Sequence, residues 1–421
     1  MKDPIVASIV EELRSLLKDG DLSLATRLLL DFLTDITLPR DDFEEALGMR
    51  AKFNQLEEIA DLSQRRKAKQ GFEKHFSNFL DRLDGVQVSE EEAKLLEEKS
   101  KAPFRPRLEG SGEERALSHP TAFRAKGLAK QYKNMAFQLG PLDLSLKPGE
   151  LTGVVGENGN GKTTLLRIIA GDLSHSEGSI AYPALGDYGL TDWYQLKQQI
   201  AFIPQRLSKW QGLLKDNLHF SAANHGIYGS ENEAMVDFII HRLGLTKYEN
   251  ARWNDISSGY KLRFELAKAL VWHPRLLVLD EPLANLDINT KLLFMQDLRL
   301  IANIRKFPIS IILSSQQLHE IESVVDNILF LKAGQPIYSG AVKDFGEDRE
   351  ENSYELSGDF NREQLMAILE PLGKVSIEDT GQSLIIHTDK SVEGPAVLSL
   401  IASKAKVGYF RDISKSTRKL F

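Results

Sequence analysis

Apolar residues in the N-terminal stretch recur at the three-to-four spacing of amphipathic helices. Ile5, Ile9, Leu13, Leu16 and Leu17 fall on one face, and Leu24, Ala25, Leu28, Leu29 and Phe32 on another. Phe72, Phe76, Phe79, Leu80 and Leu83 make the clearest stripe, which reads as core rather than as a ligand-binding aromatic box. Gly20-Asp21 and Pro39-Arg40-Asp41 punctuate the pattern, and Asp41 is placed to cap the following helix. The charged run Ser89–Lys99 reads as one more helix with a solvated surface. Residues 1–100 are therefore expected to form an all-α domain. Residues 101–120 carry Pro103, Pro106, Gly110 and Gly112 among charges, the composition of a linker. From Thr121 to about Phe345 short apolar strands, glycine turns and helices alternate, which predicts an α/β domain over 121–345. A polar run then opens a piece at 346–421, with strand-like Val375-Ser376-Ile377 and Ser383–His387 and a helix near Ala396–Ala405. That piece is expected to be a small α/β extension.

Composition narrows the function classes. Hydrophobic residues at 42% and charged residues at 27% of the 421 positions fit a folded globular chain. The formal net charge of −7 argues against broad nucleic-acid binding. Without cysteine there are no disulfides, thiolate metal sites or cysteine nucleophiles. The run Ile5–Val10 is too short for a signal-peptide core and is followed by Glu11 and Glu12. No stretch reaches the roughly 18 apolar residues of a spanning helix. The expected location is cytoplasmic, with docking onto a membrane partner left open.

The chemistry is concentrated in two motifs. Leu151-Thr152-Gly153-Val154-Val155 feeds Gly156-Glu157-Asn158-Gly159-Asn160-Gly161-Lys162-Thr163-Thr164, and an apolar helical pattern follows. This is G-x-x-x-x-G-K-S/T in its required strand–loop–helix setting. Glycines allow backbone N–H groups to close around phosphate oxygens, and the helix N-terminus favours negative charge. Lys162 is expected on the β- and γ-phosphates, and Thr163 on a magnesium ion. Further on, Leu276-Leu277-Val278-Leu279 delivers Asp280 and Glu281 at the end of a buried strand. Asp280 suits the magnesium shell, and Glu281 could polarise the attacking water.

With both motifs in place, the chain over about 121–345 resembles the nucleotide-binding domains of ABC ATPases. The resemblance implies a P-loop fold of ABC type with a helical subdomain, using ATP and Mg2+. It also assigns residues in order along the sequence. Tyr132 stands where the family stacks an aromatic on adenine. Gln205, in Ala201-Phe202-Ile203-Pro204-Gln205, matches the glutamine that touches magnesium and senses the membrane partner. Ile256-Ser257-Ser258-Gly259-Tyr260 occupies the place of the signature motif, and Leu286-Asp287 that of the D-loop. The family sandwiches two ATP molecules in a head-to-tail dimer, so Ser257 and Gly259 are expected to meet the γ-phosphate held by the opposite subunit. The implied partners are a second copy of the chain and a separately encoded membrane subunit, with no nucleic acid.

Two departures qualify this picture. The signature keeps its serine and its second glycine but loses the other glycine and the glutamine. More sharply, Ile311-Ile312-Leu313-Ser314-Ser315 leads into Gln316 where the family has its switch histidine, and His319 lies a turn further on. Glutamine can donate a hydrogen bond to phosphate but cannot take up and relay a proton near neutral pH. Slow hydrolysis is the expectation; the alternative is that Glu281 suffices and Gln316 only positions phosphate. Residues 353–421 resemble the C-terminal extension of some exporter ATPases, and their basic end, Lys415, Arg418 and Lys419, reads as a solvated tail. The N-terminal helices resemble bacterial effector-associated adaptor domains, which would give residues 1–100 a protein partner. The competing reading is a bundle that packs on its own ATPase domain. The main functional expectation is an ATP-hydrolysing transporter subunit; the alternative is a soluble ATP-gated switch acting through the N-terminal helices.

Overall fold

A computed structural model describes residues 4–33, 36, 39–57, 59–86, 89, 121–133, 137–185, 193–284, 286–302, 308–345, 351–381 and 383–414. The expected helix over 90–99, the linker at 101–120, Asn285 and the basic tail at 415–421 lie outside the described residues. The N-terminal pattern forms α1 (Pro4–Asp19), α2 (Leu22–Leu33), α3 (Arg40–Glu57) and α4 (Leu62–Leu83). Each packs on its successor, and α4 closes back on α1.

The α4 stripe is buried as its spacing predicts, through Phe72, Phe76, Phe79, Leu80 and Leu83. Asp61 caps this helix by accepting from the Gln64 N–H at 2.7 Å. On α1 the buried face is turned relative to the expected one. Val6, Val10 and Leu13 are buried, whereas Ile9, Leu16 and Leu17 are half-buried. Asp41 sits inside the first turn of α3 rather than at its cap, where its charge still suits the helix N-terminus. In helix α2 the polar residues Thr26, Arg27 and Asp31 are buried along with Leu29 and Leu30.

The middle of the chain builds two sheets around one helix. It runs through β1 (Phe123–Gln131), β2 (Gln138–Leu146), β3 (Leu151–Val155), α5 (Lys162–Ile169), β4 (Glu177–Ala181), α6 (Trp193–Lys197) and β5 (Ile200–Ile203). Helices α7 (Leu214–Asn224), α8 (Gly229–Arg242) and α9 (Ser258–Leu270) follow, then β6 (Leu276–Leu279) and α10 (Ile288–Ala302). The last strands are β7 (Ser310–Ser315), β8 (Asn327–Lys332) and β9 (Gln335–Ala341). An antiparallel sheet has the order β2-β1-β4, and a six-stranded sheet the order β5-β6-β7-β3-β8-β9.

Pairing in the large sheet is parallel except between β8 and β9. Its inner parallel strands, such as β6 with Leu276-Leu277-Val278-Leu279, are apolar runs buried on both faces, whereas the edge strand β9 is half-exposed. Helix α5 lies between the sheets: Leu165, Leu166, Ile168 and Ile169 share a core with Phe123 and Leu128 on one side and Val154, Val278 and Ile312 on the other. Alternate strand residues, Val155, Leu277, Leu279 and Leu313, face away into a second core. That core runs without a break through α7–α9 into the N-terminal bundle. Phe43 of α3 and Phe238 of α8 stack across the junction with ring centroids 6.3 Å apart. The N-terminal helices are thus packed on the α/β part.

The C-terminal piece has its own core. Strands β10 (Glu351–Gly358), β11 (Val375–Asp379), β12 (Leu384–Asp389) and β13 (Val407–Asp412) pair antiparallel in the order β11-β12-β10-β13. Helices α11 (Arg362–Leu369) and α12 (Gly394–Ala402) cover them around Tyr354, Leu356, Leu365 and Ile386. The second helix starts two residues before its expected position, with Pro395 in the first turn, where no N–H is needed.

Candidate nucleotide site

Register within the parallel sheet brings the motifs together. Ile203 pairs with Leu279, Leu279 with Leu313, and Val155 with Ser315, so β5, β6, β7 and β3 end at one edge. Ligands of open parallel sheets bind at this edge. The loop after β3 wraps toward α5 through Gly159 at φ +84° and Gly161 at φ +94°, a backbone region that side chains disfavour. A Cβ on Gly156 would lie 2.5 Å from the Leu331 carbonyl oxygen, so the loop closes where only glycine fits. Asn160 ties the loop to the same end of β8 by accepting from the Ala333 N–H at 2.8 Å. Asn158 and Gly159 occupy the turn of this loop.

Lys162 opens α5 and is 4% exposed. Its Nζ donates to the carbonyls of Gly156 at 2.7 Å and Glu157 at 3.1 Å, and lies 3.1 Å from Glu281 Oε1. Thr163 donates its hydroxyl to Asp280 Oδ2 at 2.8 Å. Tyr132 OH lies 3.4 Å from the Thr164 hydroxyl, beside the start of α5. Two glutamines then converge on one carboxylate oxygen: Gln205 Nε2 and Gln316 Nε2 each donate to Glu281 Oε2 at 2.8 Å. Gln316 was expected to face phosphate; in this arrangement its amide is on Glu281.

Ser314 was missed in the sequence. It donates to Asp280 Oδ1 at 2.8 Å and accepts from the Glu281 N–H at 2.7 Å, tying the two acids together. A hydroxyl placed directly after the apolar run Ile311–Leu313 was the available signal, and the structure buries it fully. Glu281 needs this support because its φ is +45°, a region costing a non-glycine residue about 1 kcal/mol or more. The Lys162–Glu281 pair was also not readable in advance, since it depends on β6 and β3 flanking β7.

Ser257, Gly259 and Asp287 form a second cluster. Ser257 is the N-cap of α9. A Cβ on Gly259 would come within 2.8 Å of Thr290 Cγ2, which explains glycine there. Asp287 accepts from the Thr290 hydroxyl at 2.6 Å and N–H at 3.0 Å, and these bonds hold its carboxyl below the usual range.

The donor set tests well against the expected ligands. A glycine-closed loop at a helix N-terminus with a buried lysine fits a polyphosphate. Thr163, Asp280 and Gln205 offer oxygen ligands of the kind magnesium takes alongside phosphates and water. Lys162 is one buried cation beside the two acids Asp280 and Glu281, which are 3% and 9% exposed, leaving negative charge for a further cation.

Comparison with known proteins bears on this region. The family model described as ABC transporter matches residues 139–284, from β2 to just beyond Glu281. The chain is 29% identical over 215 residues to the ABC transporter ATP-binding protein NatA of Bacillus subtilis, covering 49% of this chain and 82% of that one. It is 30% identical over 238 residues to the aliphatic sulfonates import ATP-binding protein SsuB of Corynebacterium glutamicum, covering 56% and 91%. Among solved structures it is similar to cbiO1 of Clostridium perfringens, described as part of the ABC transporter complex cbiONQ. That match has a TM-score of 0.50 and 26% identity, and covers 55% of this chain and 92% of that one. Among the described residues no helix is long and apolar enough to cross a membrane. With nearly the whole length of these relatives matched by its α/β part, the chain belongs to the ATP-binding proteins of the ABC transporter family.

Proposed function

We propose that this chain is a magnesium-dependent ATPase that dimerises head-to-tail around two ATP molecules and drives a separately encoded membrane subunit from the cytoplasmic face. The observation that carries the reading is the convergence of Lys162, Gln205 and Gln316 on Glu281 at the end of β6. In this reading the triphosphate lies on the loop N–H groups of 156–161 and the N-terminus of α5. Tyr132 stacks on the base, and Thr164 adds a hydroxyl beside it. Lys162 exchanges its ion pair with Glu281 for the β- and γ-phosphates, freeing the carboxylate to accept a proton from water. Thr163, Asp280 and Gln205 would hold magnesium, which would supply charge neutralisation for the phosphate oxygens. Ser257 and Gly259 close on the γ-phosphate bound to the partner, and Asp287 orients the loop between them.

Gln316 gives the site its proposed rate. Its amide donates to Glu281 but has no imidazole's capacity to take up and pass on a proton. Hydrolysis is therefore slow and the ATP-bound dimer long-lived. A Gln316→His chain should release phosphate about ten-fold faster or more under saturating magnesium ATP, measured as single turnovers. A histidine variant no faster than its parent would sink the slow-switch reading while leaving ATP binding intact. The soluble-switch alternative is not favoured, since the matched relatives are transporter ATP-binding proteins.

A further inference from the structure

The segment that carries Gln316 leaves β7 at the ligand edge of the large sheet and turns. Gln316 and Gln317 are exposed, so packing does not fix the Gln316 side chain. Its Nε2 nevertheless donates to Glu281 Oε2 at 2.8 Å. Holding an exposed glutamine in one rotamer costs conformational entropy, and more so if its backbone is also loose. The bond to Glu281 therefore depends on what fixes the turn.

Glu320, at the end of the short 3-10 turn Leu318–Glu320, supplies that fixed point. Its Oε2 accepts from the Ser315 hydroxyl at 2.8 Å, and its Oε1 from Lys291 Nζ at 2.6 Å. Ser315 Oγ in turn accepts from the Gln317 N–H at 3.1 Å. Both neighbours of Gln316 are thus tied, directly or through Ser315, to one carboxylate. Hydrogen bonds to an ionised group are roughly twice as strong as neutral ones. The side chains of Lys291 and Glu320 are 29% and 18% exposed, so water screens this pair less than an open surface pair. Lys291 stands in the first turn of α10, a helix held in the core by Phe294, Met295 and Leu298, so the anchor is rigid. Glu281, Ser315, Gln316 and Glu320 also share the walls of a cavity of about 150 Å³. That space gives the Gln316 side chain room to swing off Glu281 once the turn loosens.

We propose that Glu320 is a positioning residue for ATP hydrolysis: through Ser315 it fixes the turn that places the Gln316 amide on Glu281, and through Lys291 it anchors that turn to α10. The proposal rests on the ATPase reading given above. Glu320 touches neither the nucleotide nor the attacking water, and acts only by keeping Glu281 oriented. Misplacing a reacting group by about 1 Å costs up to about 10²-fold in rate.

Four full-length chains test this: the parent, Glu320→Ala, Gln316→Ala and the double variant. At saturating magnesium ATP, phosphate release should fall about ten-fold in Glu320→Ala, while the ATP concentration giving half the maximal rate stays the same. The double variant should be no slower than Gln316→Ala, because Glu320 then has no amide to place. Ser315→Ala breaks the same link with a smaller change and should behave as Glu320→Ala does, which keeps the test standing should that chain not fold. Without nucleotide, backbone amide exchange over 315–320 should quicken in both Glu320→Ala and Ser315→Ala. Unchanged phosphate release or unchanged exchange in these variants would overturn the proposal. So would a double variant slowed by the product of the two single effects, since Glu320 would then act independently of Gln316. A parent chain that binds ATP but releases no phosphate would overturn the ATPase reading, with amide exchange still deciding whether Glu320 fixes the turn.

Discussion

At the scale of single residues the site is governed by Glu281. Its carboxylate receives three donors, and its backbone is held in a left-handed conformation by Ser314. Replacing it by glutamine keeps the shape and one acceptor oxygen but removes the negative charge and the proton acceptor. Glu281→Gln should therefore lose about 10²–10⁴-fold in phosphate release while still retaining ATP on a filter-binding assay. Loss of ATP binding along with turnover would show that Glu281 serves structure instead of chemistry. The P-loop residues were legible in the sequence because each has a fixed offset from its neighbours along one strand–loop–helix unit. Ser314 was less so, since its role depends on which strand lies beside β6.

At the scale of elements, α2 is the informative case. Its leucines and Phe32 predicted a helix, yet Arg27 and Asp31, one turn apart, resemble an ordinary solvated face. They are buried because α8 and α10 bring Arg242 and Asp297 against them. Removing one partner from such a buried group costs about 3–5 kcal/mol, so Arg242→Met should lower the urea midpoint of the N-terminal helices markedly. An unchanged midpoint would mean that the apolar contacts alone hold the bundle in place.

Acid acts on the same junction. Burial by itself would push the Asp297 carboxyl up, but Arg27, Arg242 and their neighbours overcome this and hold it below its ordinary value. A folded-state pKa below the unfolded value gives stability that is fully present above about pH 4 and fades as pH falls through the folded value. Docking of the N-terminal helices should therefore be constant from neutrality to about pH 4 and weaken below it. Thermal melts across that range check the direction.

At the scale of the molecule, the nucleotide cluster and the signature cluster lie in separate places, as two half-sites must if each is completed by a second copy. With magnesium ATP the Glu281→Gln chain should double its molar mass by light scattering, and a Lys162→Ala chain should not. A Glu281→Gln chain that stays monomeric at saturating ATP would refute the head-to-tail dimer. The C-terminal sheet, with its own core around Tyr354 and Ile386, stands apart from these contacts as a separately packed layer.

The sequence by itself determined the local chemistry: which loop can close on phosphate, which strand carries acids at its end, and which helices have an apolar face. These properties depend on residues close together in the chain, where spacing translates directly into geometry. Only the tertiary structure decided that Lys162 meets Glu281, that both glutamines share one carboxylate oxygen, and that Arg27 and Arg50 are buried. Those outcomes depend on strand order and on helix docking, which pair residues far apart in sequence. Spacing along the chain carries no record of them.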